Sequence, residues 1–174
     1  MPATVNVGMI RALLTFKNNE VFWFAVARTQ TPWGNENSPP AESVDTVSLT
    51  EIAGLQKAQT VSLCYQDTNG AIEFRGKRYS LVSDNDAYNY DSRCLYCSTV
   101  LKFDTFPVVT FRQFGLLVGV APKVGSEYKD ILLPSDVMSY GKLIGYVNHP
   151  PIIRTAGSKN LLEIVIELIP MVTS

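Results

Sequence analysis

The chain has 174 residues, which is enough for one globular domain to bury a core without support from disulfides or metals. Its 15 Lys and Arg residues nearly balance 16 Asp and Glu residues and are interspersed with them, which excludes the charge pattern of a nucleic-acid or anionic-membrane binder. No apolar run reaches the roughly 18 residues that span a bilayer. The N-terminal sequence also lacks a signal-peptide pattern, which predicts a protein made and kept in a cytoplasm.

The first part of the chain predicts a hairpin followed by a short helix. Alternating apolar residues over positions 10–16 predict a strand. Residues 21–28, apolar on both faces, predict its hairpin partner. Ser48 and Glu51 have the spacing of a capping box, which predicts a helix that ends near Ala58.

The sequence of the middle of the chain predicts a second hairpin, a further strand and a long loop. Residues 60–66 alternate and lead through Asn69-Gly70, a strong tight-turn signal, into a strand at 71–75. Another short strand is predicted at 78–82. Residues 83–93 are rich in Asn and Asp, which indicates a polar loop.

The last part of the chain predicts four more strands. They cover residues 98–103, 108–120, 142–148 and 161–169, with one helical turn at 135–140 inside an intervening loop. About eight short strands and one or two short helices predict a mainly β chain. The most suitable architecture is an antiparallel β-sandwich of the immunoglobulin-like kind, with a small barrel as the alternative, in a single domain over residues 1–174.

The three cysteines are an odd number, which predicts reduced thiols and no disulfide framework. Cys94 and Cys97 have a spacing that could hold half a zinc site or a redox pair. The only other sulfur is Cys64 and the only histidine is His149, so the second half of such a site is missing. On a strand the two thiols would also point to opposite faces, which favours structural cysteines.

No other group of residues predicts catalysis or a cofactor. His149 has no nucleophile in a catalytic sequence context, and we interpret it as a loop histidine. Asp84, Asp86 and Asp91 do not follow the calcium-loop pattern and indicate a solvated loop. Phosphate-loop spacing is absent as well. The sequence therefore predicts a protein that is not an enzyme and that uses no metal or cofactor.

Several aromatic residues fall in predicted loops, among them Trp33, Tyr88 and Tyr90. Exposed aromatic side chains stack on sugars or anchor protein interfaces. A carbohydrate- or receptor-binding module is therefore the alternative to a structural, assembling protein.

Residues 28–45 combine turn-forming and stiffening residues. Thr31 and Ser38 each precede a proline, which biases both residues to extended geometry, and Pro39-Pro40 favours a polyproline segment. A stiff segment loses little entropy when it docks on a partner, and Trp33 would supply a large contact area. The other interpretation is that Trp33 folds back on its own core.

Three blocks of sequence, in the same order, resemble the T4-type baseplate wedge subunit, the dimeric β-sandwich protein of contractile phage tails. The first block has a strand that ends in Arg followed by Pro-Trp, Asn-Glu-Asn and Pro-Pro, the second has Phe-Arg-Gln, and the third has Gly, Tyr, Asn-x-Pro-Pro-Ile and a final strand. The matching positions are Arg28, Pro32, Trp33, Asn35, Glu36, Asn37, Pro39 and Pro40, then Phe111, Arg112 and Gln113, then Gly145, Tyr146, Asn148, Pro150, Pro151 and Ile152.

The resemblance implies a non-enzymatic structural subunit of a phage tail baseplate, assembled in the bacterial host cytoplasm. It implies a homodimer within each wedge, bound to other baseplate wedge proteins. The near-neutral, interspersed charge separately predicts no nucleic-acid or membrane partner. Relative to that family, a large inserted domain between the first two blocks and an N-terminal helix are expected to be absent. The residues expected to form interface or framework are Arg28, Pro32, Trp33, Asn35, Glu36, Asn37, Pro39, Pro40, Tyr146, Pro150 and Pro151.

Overall fold

The structure of the protein is a computed structural model that describes residues 5–169. These residues contain one α-helix, two short 3-10 helices and twelve strands. The elements, in chain order, are α1 (Asn6–Asn19), β1 (Trp23–Ala27), β2 (Gly54–Lys57), β3 (Thr60–Gln66), β4 (Ile72–Phe74), β5 (Lys77–Val82), a 3-10 turn (Asp84–Asp86), β6 (Cys94–Leu101), β7 (Thr110–Val118), β8 (Ala121–Pro122), β9 (Ile131–Leu132), a second 3-10 turn (Pro134–Asp136), β10 (Val137–Ser139), β11 (Lys142–Ile153) and β12 (Asn160–Glu167).

The chain divides into two compact units. One contains residues 21–59 and 99–162 and is built on a five-stranded sheet in the order β11-β7-β1-β2-β9. Its strand pairs are antiparallel. Strand β1 is central and fully buried because its side chains are apolar on both faces. A two-stranded β8-β10 ribbon belongs to the same unit.

The other unit contains described residues 5–20, 60–98 and 163–169. It is built on a five-stranded sheet in the order β12-β6-β3-β5-β4. The polar residues 83–93 form turns and a 3-10 helix, as the Asn- and Asp-rich composition predicts. Helix α1 packs on this unit through Met9, Ile10 and Leu13.

The predicted strand at residues 10–16, and with it the first hairpin, is wrong. These residues lie in the helix α1, and the strand β1 pairs with β2 and β7 instead. The buried positions Met9, Ile10 and Leu13 have the spacing of one helical face, and the period-2 pattern was too short to outweigh it. The expectation that an N-terminal helix is absent is therefore also wrong.

The predicted helix after Ser48 is wrong as well, because residues 54–57 form the strand β2. The backbone of this segment bonds to β1 and its flanks: Arg28 N–H donates to Thr50 O at 2.9 Å, and Ala53 N–H donates to Val26 O at 2.9 Å. Glu51, the expected capping-box acid, instead binds Thr31. Long-range pairing thus outweighs a local helix signal in a segment too short to be helical on its own.

The second hairpin has a different partner from the one predicted. Asn69-Gly70 does form a turn, with Gly70 N–H donating to Asp67 O at 2.9 Å. The strand after it, β4, pairs with β5, and β5 lies between β4 and β3. Positive φ angles at Arg75 and Gly76, 52° and 76°, close the actual β4-β5 hairpin.

The fold-class prediction is confirmed: strands dominate, the sheets are antiparallel and the architecture is consistent with a β-sandwich. The strands that the sequence did not predict, β2, β8, β9 and β10, have only two to four residues each. Within residues 5–169, no helix is long and apolar enough to cross a membrane. A single domain over 1–174 stays a prediction.

Candidate functional site

Residues 28–47, the first part of the connection between β1 and β2, form what we call the anchored loop. The loop begins where Arg28, at a φ of 51°, turns the chain sharply away from β1. Non-glycine residues adopt this left-handed conformation only where surrounding contacts hold them. Contacts along the loop supply that support, and they involve most of the residues that the sequence resemblance singled out.

Trp33 is packed against its own chain, with only 8% of its surface exposed. Its indole N–H donates a hydrogen bond of 2.9 Å to the backbone carbonyl of His149. The guanidinium of Arg28 lies 3.8 Å from the ring centroid, within cation–π range, and donates to Pro32 O at 3.1 Å. The sequence did not decide whether Trp33 packs on its own subunit or on a partner. In the structure it packs on the subunit's own β11.

Glu36 joins the loop to β7 through Arg112. The Arg112 Nε lies 2.8 Å from both carboxylate oxygens, and Nη2 lies 2.7 Å from Oε1. The same carboxylate accepts a hydrogen bond of 3.2 Å from Trp33 N–H. Hydrogen bonding from Arg112 is the main reason that the pKa of Glu36 lies below its usual value, and it raises the pKa of Arg112.

Asparagine side chains stabilise the loop in two different ways, one from within it and one from β11. Asn35 shapes the turn itself: its side-chain oxygen accepts from Asn37 N–H at 3.1 Å. Asn148, on β11, holds the Pro-Pro segment, because its Nδ2 donates to Pro40 O at 3.0 Å. Gln113 on β7 in turn donates to Asn148 Oδ1 at 2.8 Å and so fixes the orientation of that amide.

Tyr146 holds the end of the loop on β11. Its hydroxyl accepts a hydrogen bond of 2.6 Å from Ser43 N–H and lies 2.9 Å from Thr46 Oγ1. This contact joins residues about a hundred positions apart in sequence. The loop is therefore tied to the sheet at its beginning, middle and end.

Pro150 and Pro151 lie on β11, the edge strand of its sheet, where the register with β7 shifts between Asn148 and Ile152. Prolines have no N–H and so cannot template a further strand. At Asn148 the backbone N–H is bound by the Glu42 carboxylate at 2.8 Å. Exposed sheet edges tend to pair with strands of other molecules, and the two prolines and the bound Asn148 N–H limit such pairing at β11.

Glu51 closes the base of the loop. Its carboxylate accepts from Gln30 N–H at 2.9 Å, from Thr31 N–H at 3.0 Å and from the Thr31 hydroxyl. The hydroxyl bond contributes most to lowering the pKa of Glu51 to about 2, and the two backbone bonds add to it.

His149 lies on β11 and is mostly buried, so its interpretation as a loop histidine is wrong. Its ring makes an edge contact with Phe111 at 5.1 Å and lies 5.6 Å from Phe114, both centroid distances. The Nδ1 atom lies 2.7 Å from Pro150 O, and no partner for the buried Nε2 occurs in the described part of the chain. Burial lowers the pKa of His149.

We expect stability to fall as the pH decreases through about 6.5. The folded chain resists protonation of His149, whereas the unfolded chain protonates it at the ordinary pKa, so protons bind the unfolded state more strongly in this window. The stability that is lost when His149 is protonated is fully present above that pH. Urea unfolding midpoints at about pH 7.5 and about pH 5.5 measure it. Glu51 does not interfere, because its unfolded-state pKa is near 4.5.

The control for this pH effect is His149→Gln, which removes the only histidine of the chain. We expect the variant to be less stable at neutral pH, since packing against Phe111 is altered. The difference between its two midpoints should nevertheless be smaller than in the natural sequence. An unchanged pH difference would contradict the role of His149.

The other residues considered for chemistry are engaged in structural contacts. Cys94 and Cys97 are both buried on β6, and Cys94 shares a cluster with Cys64, Tyr79 and Tyr96. Since strand residues alternate, Cys97 faces the other side. Among residues 5–169, no group of three or more His, Cys, Asp or Glu side chains has metal-binding geometry.

The loop at 83–93 has exposed aromatic residues, as expected, with Tyr88 at 44% and Tyr90 at 51% exposure. Tyr90 is stacked on Tyr65 at 4.7 Å between centroids. Asp84 binds Lys17 at 3.0 Å, and Asp91 lies 3.3 Å from Arg93. The carbohydrate-binding alternative therefore has Tyr88 and Tyr90 but not Trp33, which is buried.

Sequence reasoning did not identify the partners that hold the loop. Arg112, Asn148 and Glu42 were outside the predicted site, although Arg112 and Asn148 belonged to the matching blocks. An available signal was that adjacent polar residues, Arg112-Gln113 and Asn148-His149, interrupt the mainly apolar strands β7 and β11.

Comparison with known proteins identifies the class of protein to which this architecture belongs. Residues 1–168 match the family described as baseplate wedge 3 tail fiber network component. The chain is similar to Virion protein 3 of Enterococcus phage phiEF24C, with 32% identity over 162 residues that cover 90% of this chain and 89% of the relative. Both comparisons confirm the predicted resemblance to a baseplate wedge protein. The chain belongs to the baseplate wedge 3 tail fiber network component family and is a structural protein of the phage virion.

Proposed function

We propose that this protein acts by protein–protein assembly within the baseplate wedge, without enzymatic activity. In this proposal the anchored loop is the framework of a contact surface. Its membership of a baseplate wedge and tail fiber network family supports interaction with other baseplate proteins. The observation that carries the proposal concerns the C-terminal end of the loop, residues 43–47. Its backbone is held by Tyr146, yet it exposes apolar side chains to solvent.

The C-terminal end of the anchored loop has two valines that are exposed to solvent. Val44 is 101% and Val47 is 84% exposed, although Ser43 and Thr46 beside them are bound to Tyr146. Isolated exposed apolar residues are common, but here they are presented on backbone that is already fixed. A preorganised surface loses less conformational entropy when it binds, which favours docking.

A cavity of about 270 Å³ adjoins Val44 and offers room for a side chain from a neighbouring protein. It lies between the loop and β11, and its walls include Val44, Leu143 and Tyr146. Interfaces commonly gain most of their affinity where one apolar or aromatic side chain fills such a depression. We infer that a neighbouring wedge protein inserts an apolar side chain here.

We expect the double substitution Val44→Asp and Val47→Asp to weaken binding to the neighbouring wedge protein at least tenfold. Two carboxylates in an apolar contact would have to lose water without a partner. The unfolding free energy should change by less than about 0.5 kcal/mol, because both side chains are exposed. Affinity by calorimetry or interferometry, with urea unfolding of the same samples, measures both quantities.

The matched control is Val124→Asp, which changes a valine that is 97% exposed elsewhere in the same unit. We expect it to leave binding unchanged. Equal weakening by Val124→Asp would indicate a general effect of added charge and contradict the assignment of the contact surface. Full binding by the Val44 and Val47 variant would contradict it as well.

We also infer that the subunit forms a homodimer within the wedge, as its resemblance to a dimeric wedge subunit implies. A mainly permanent assembly of this kind buries more than roughly 2,000 Å² in total. Sedimentation at micromolar concentration, alone and with co-expressed wedge proteins, gives the mass relative to the 19.3 kDa protomer. A monomer that also fails to bind any wedge protein would contradict both dimer and assembly.

A further inference from the structure

Cys64 and Cys94 face each other directly across two antiparallel strands, β3 and β6. Residues opposed in this way have Cα atoms about 4.5–5.5 Å apart, which lies within the range of about 4.4–6.8 Å that a disulfide spans. Both cysteines are free and buried, and they pack in one cluster. The backbone therefore already has the separation that a disulfide between them requires.

The third cysteine is not placed to compete. Cys97 lies opposite Val61 in the same strand pair, and the alternation of β6 directs it away from the face that Cys94 occupies. The Cys64 and Cys94 pair packs with Tyr79 and Tyr96 in one cluster that does not include Cys97. A disulfide formed in the folded chain would thus join Cys64 to Cys94.

The two sulfurs differ in their access to solvent. Cys64 is fully buried, whereas Cys94 lines a cleft of about 220 Å³ whose other walls include Tyr90, Arg93 and Glu167. Hydrogen bonding from Cys64 lowers the pKa of Cys94, and the same bond together with burial raises the pKa of Cys64. Cys94 is therefore the more reactive sulfur, because the thiolate is the nucleophile.

We propose that Cys64 and Cys94 are a redox-sensitive pair that forms an intramolecular disulfide when a hydroperoxide such as hydrogen peroxide enters the cleft. The Cys94 thiolate attacks the peroxide, gains one oxygen as a sulfenic acid and releases hydroxide. Cys64 Sγ then bonds to Cys94 Sγ and displaces that oxygen as water. Two thiols and one peroxide give one disulfide and two waters, and the peroxide accepts two electrons.

The Cys64 and Cys94 pair would act after assembly, once the finished particle has left the reducing cytoplasm. Disulfides persist on virion surfaces, where the environment is oxidising, and they are rare in reducing cytoplasm. The bond would tie β3 to β6 after folding and close the intervening segment, which carries β4, β5 and the polar loop. Oxidation would then restrict unfolding of a unit that assembled in the reduced state.

Thiol counting with peptide mapping tests the proposal. Purified protein is treated with hydrogen peroxide, denatured and alkylated, and its mass is measured. We expect one alkylated thiol of the three and a mass lower by two hydrogens before alkylation. After trypsin, the peptide of residues 58–75 should be joined to that of residues 94–102. Three alkylated thiols would contradict the proposal.

Two variants identify the sulfur atoms involved. Cys97→Ala leaves only the proposed pair, and we expect it to lose both thiols on oxidation. Cys64→Ala should instead stop at oxygen adducts of Cys94, and its 94–102 peptide, which contains both Cys94 and Cys97, should not lose two hydrogens. Loss of two hydrogens within that peptide, or a crosslink that is missing in Cys97→Ala while it forms in the natural sequence, would show that Cys97 is a partner and overturn the assignment.

Discussion

Replacing Trp33 by alanine is expected to lower the free energy of unfolding by about 3 kcal/mol or more. The ring is almost completely buried, its N–H bonds to His149 O, and Arg28 stacks on its face. The substitution removes all three contributions at once and leaves a cavity under the anchored loop. Urea unfolding monitored by circular dichroism measures the change without relying on Trp33 fluorescence.

Trp33→Phe is the matched control for this effect. It keeps an aromatic face for Arg28 but removes the donor to His149 O, so we expect a smaller loss, about 1 kcal/mol for the hydrogen bond plus some packing. If Trp33→Ala changed stability by less than about 1 kcal/mol yet abolished assembly, Trp33 would be a docking residue and not part of the framework.

Replacing Arg154 by leucine is expected to destabilise the fold by about 3–5 kcal/mol. Arg154 is a charged residue with only 1% of its surface exposed. Its guanidinium donates to five acceptors in the β6-β7 connection, the β11-β12 connection and the first residue of β12, and the cation lies 5.6 Å from the Phe106 ring centroid. The acceptors are Lys102 O, Phe106 O, Pro107 O, Ser158 O and Asn160 Oδ1.

Leucine fills much of the same space but leaves these acceptors without a donor, and an unsatisfied buried polar group costs about 1–3 kcal/mol. Arg154→Lys tests the geometry, since lysine keeps the charge but lacks the planar fork that reaches both connections. We expect it to recover only part of the loss. Urea midpoints give the ranking, and a loss below about 1 kcal/mol for Arg154→Leu would contradict the account.

The sequence predicted the strands whose faces alternate clearly. The sequences of β3 and β12 alternate over seven or eight positions, and in β12 the burial of Leu162 and Ile164 follows that pattern. Helix α1 was predicted wrongly because its apolar residues fit both periods over a short window. Local pattern thus identified strands with regular alternation and failed at α1, where the same few apolar residues fit two periods.

Much of the strand pairing could not be predicted from local pattern, because many strands, unlike those of the β4-β5 hairpin, pair with segments far away in sequence. Strand β1 lies between β2 and β7, and both follow it only after long stretches of chain. The same non-local pairing explains why residues after Ser48 form no helix, despite an acceptable capping signal. Pairing is a property of the whole sheet.

The order in the anchored loop was predicted in part. Prolines and Asn35 indicated a stiff segment with a turn, and Asn35 does bind Asn37 N–H. The partners were not predictable from spacing, since Glu36 and Arg112 are 76 positions apart, and Trp33 and His149 are 116 apart. The burial of Arg154 was not predicted, because a single arginine after an apolar strand is typical of the protein surface.

A density map of the assembled baseplate tests the central claim most directly, because it shows what contacts the anchored loop. We expect Trp33 to keep its place against His149 and β11, while a neighbouring wedge protein covers Val44 and Val47. A map in which both valines face solvent, or in which Trp33 has left its own subunit to enter a neighbour, would contradict the account.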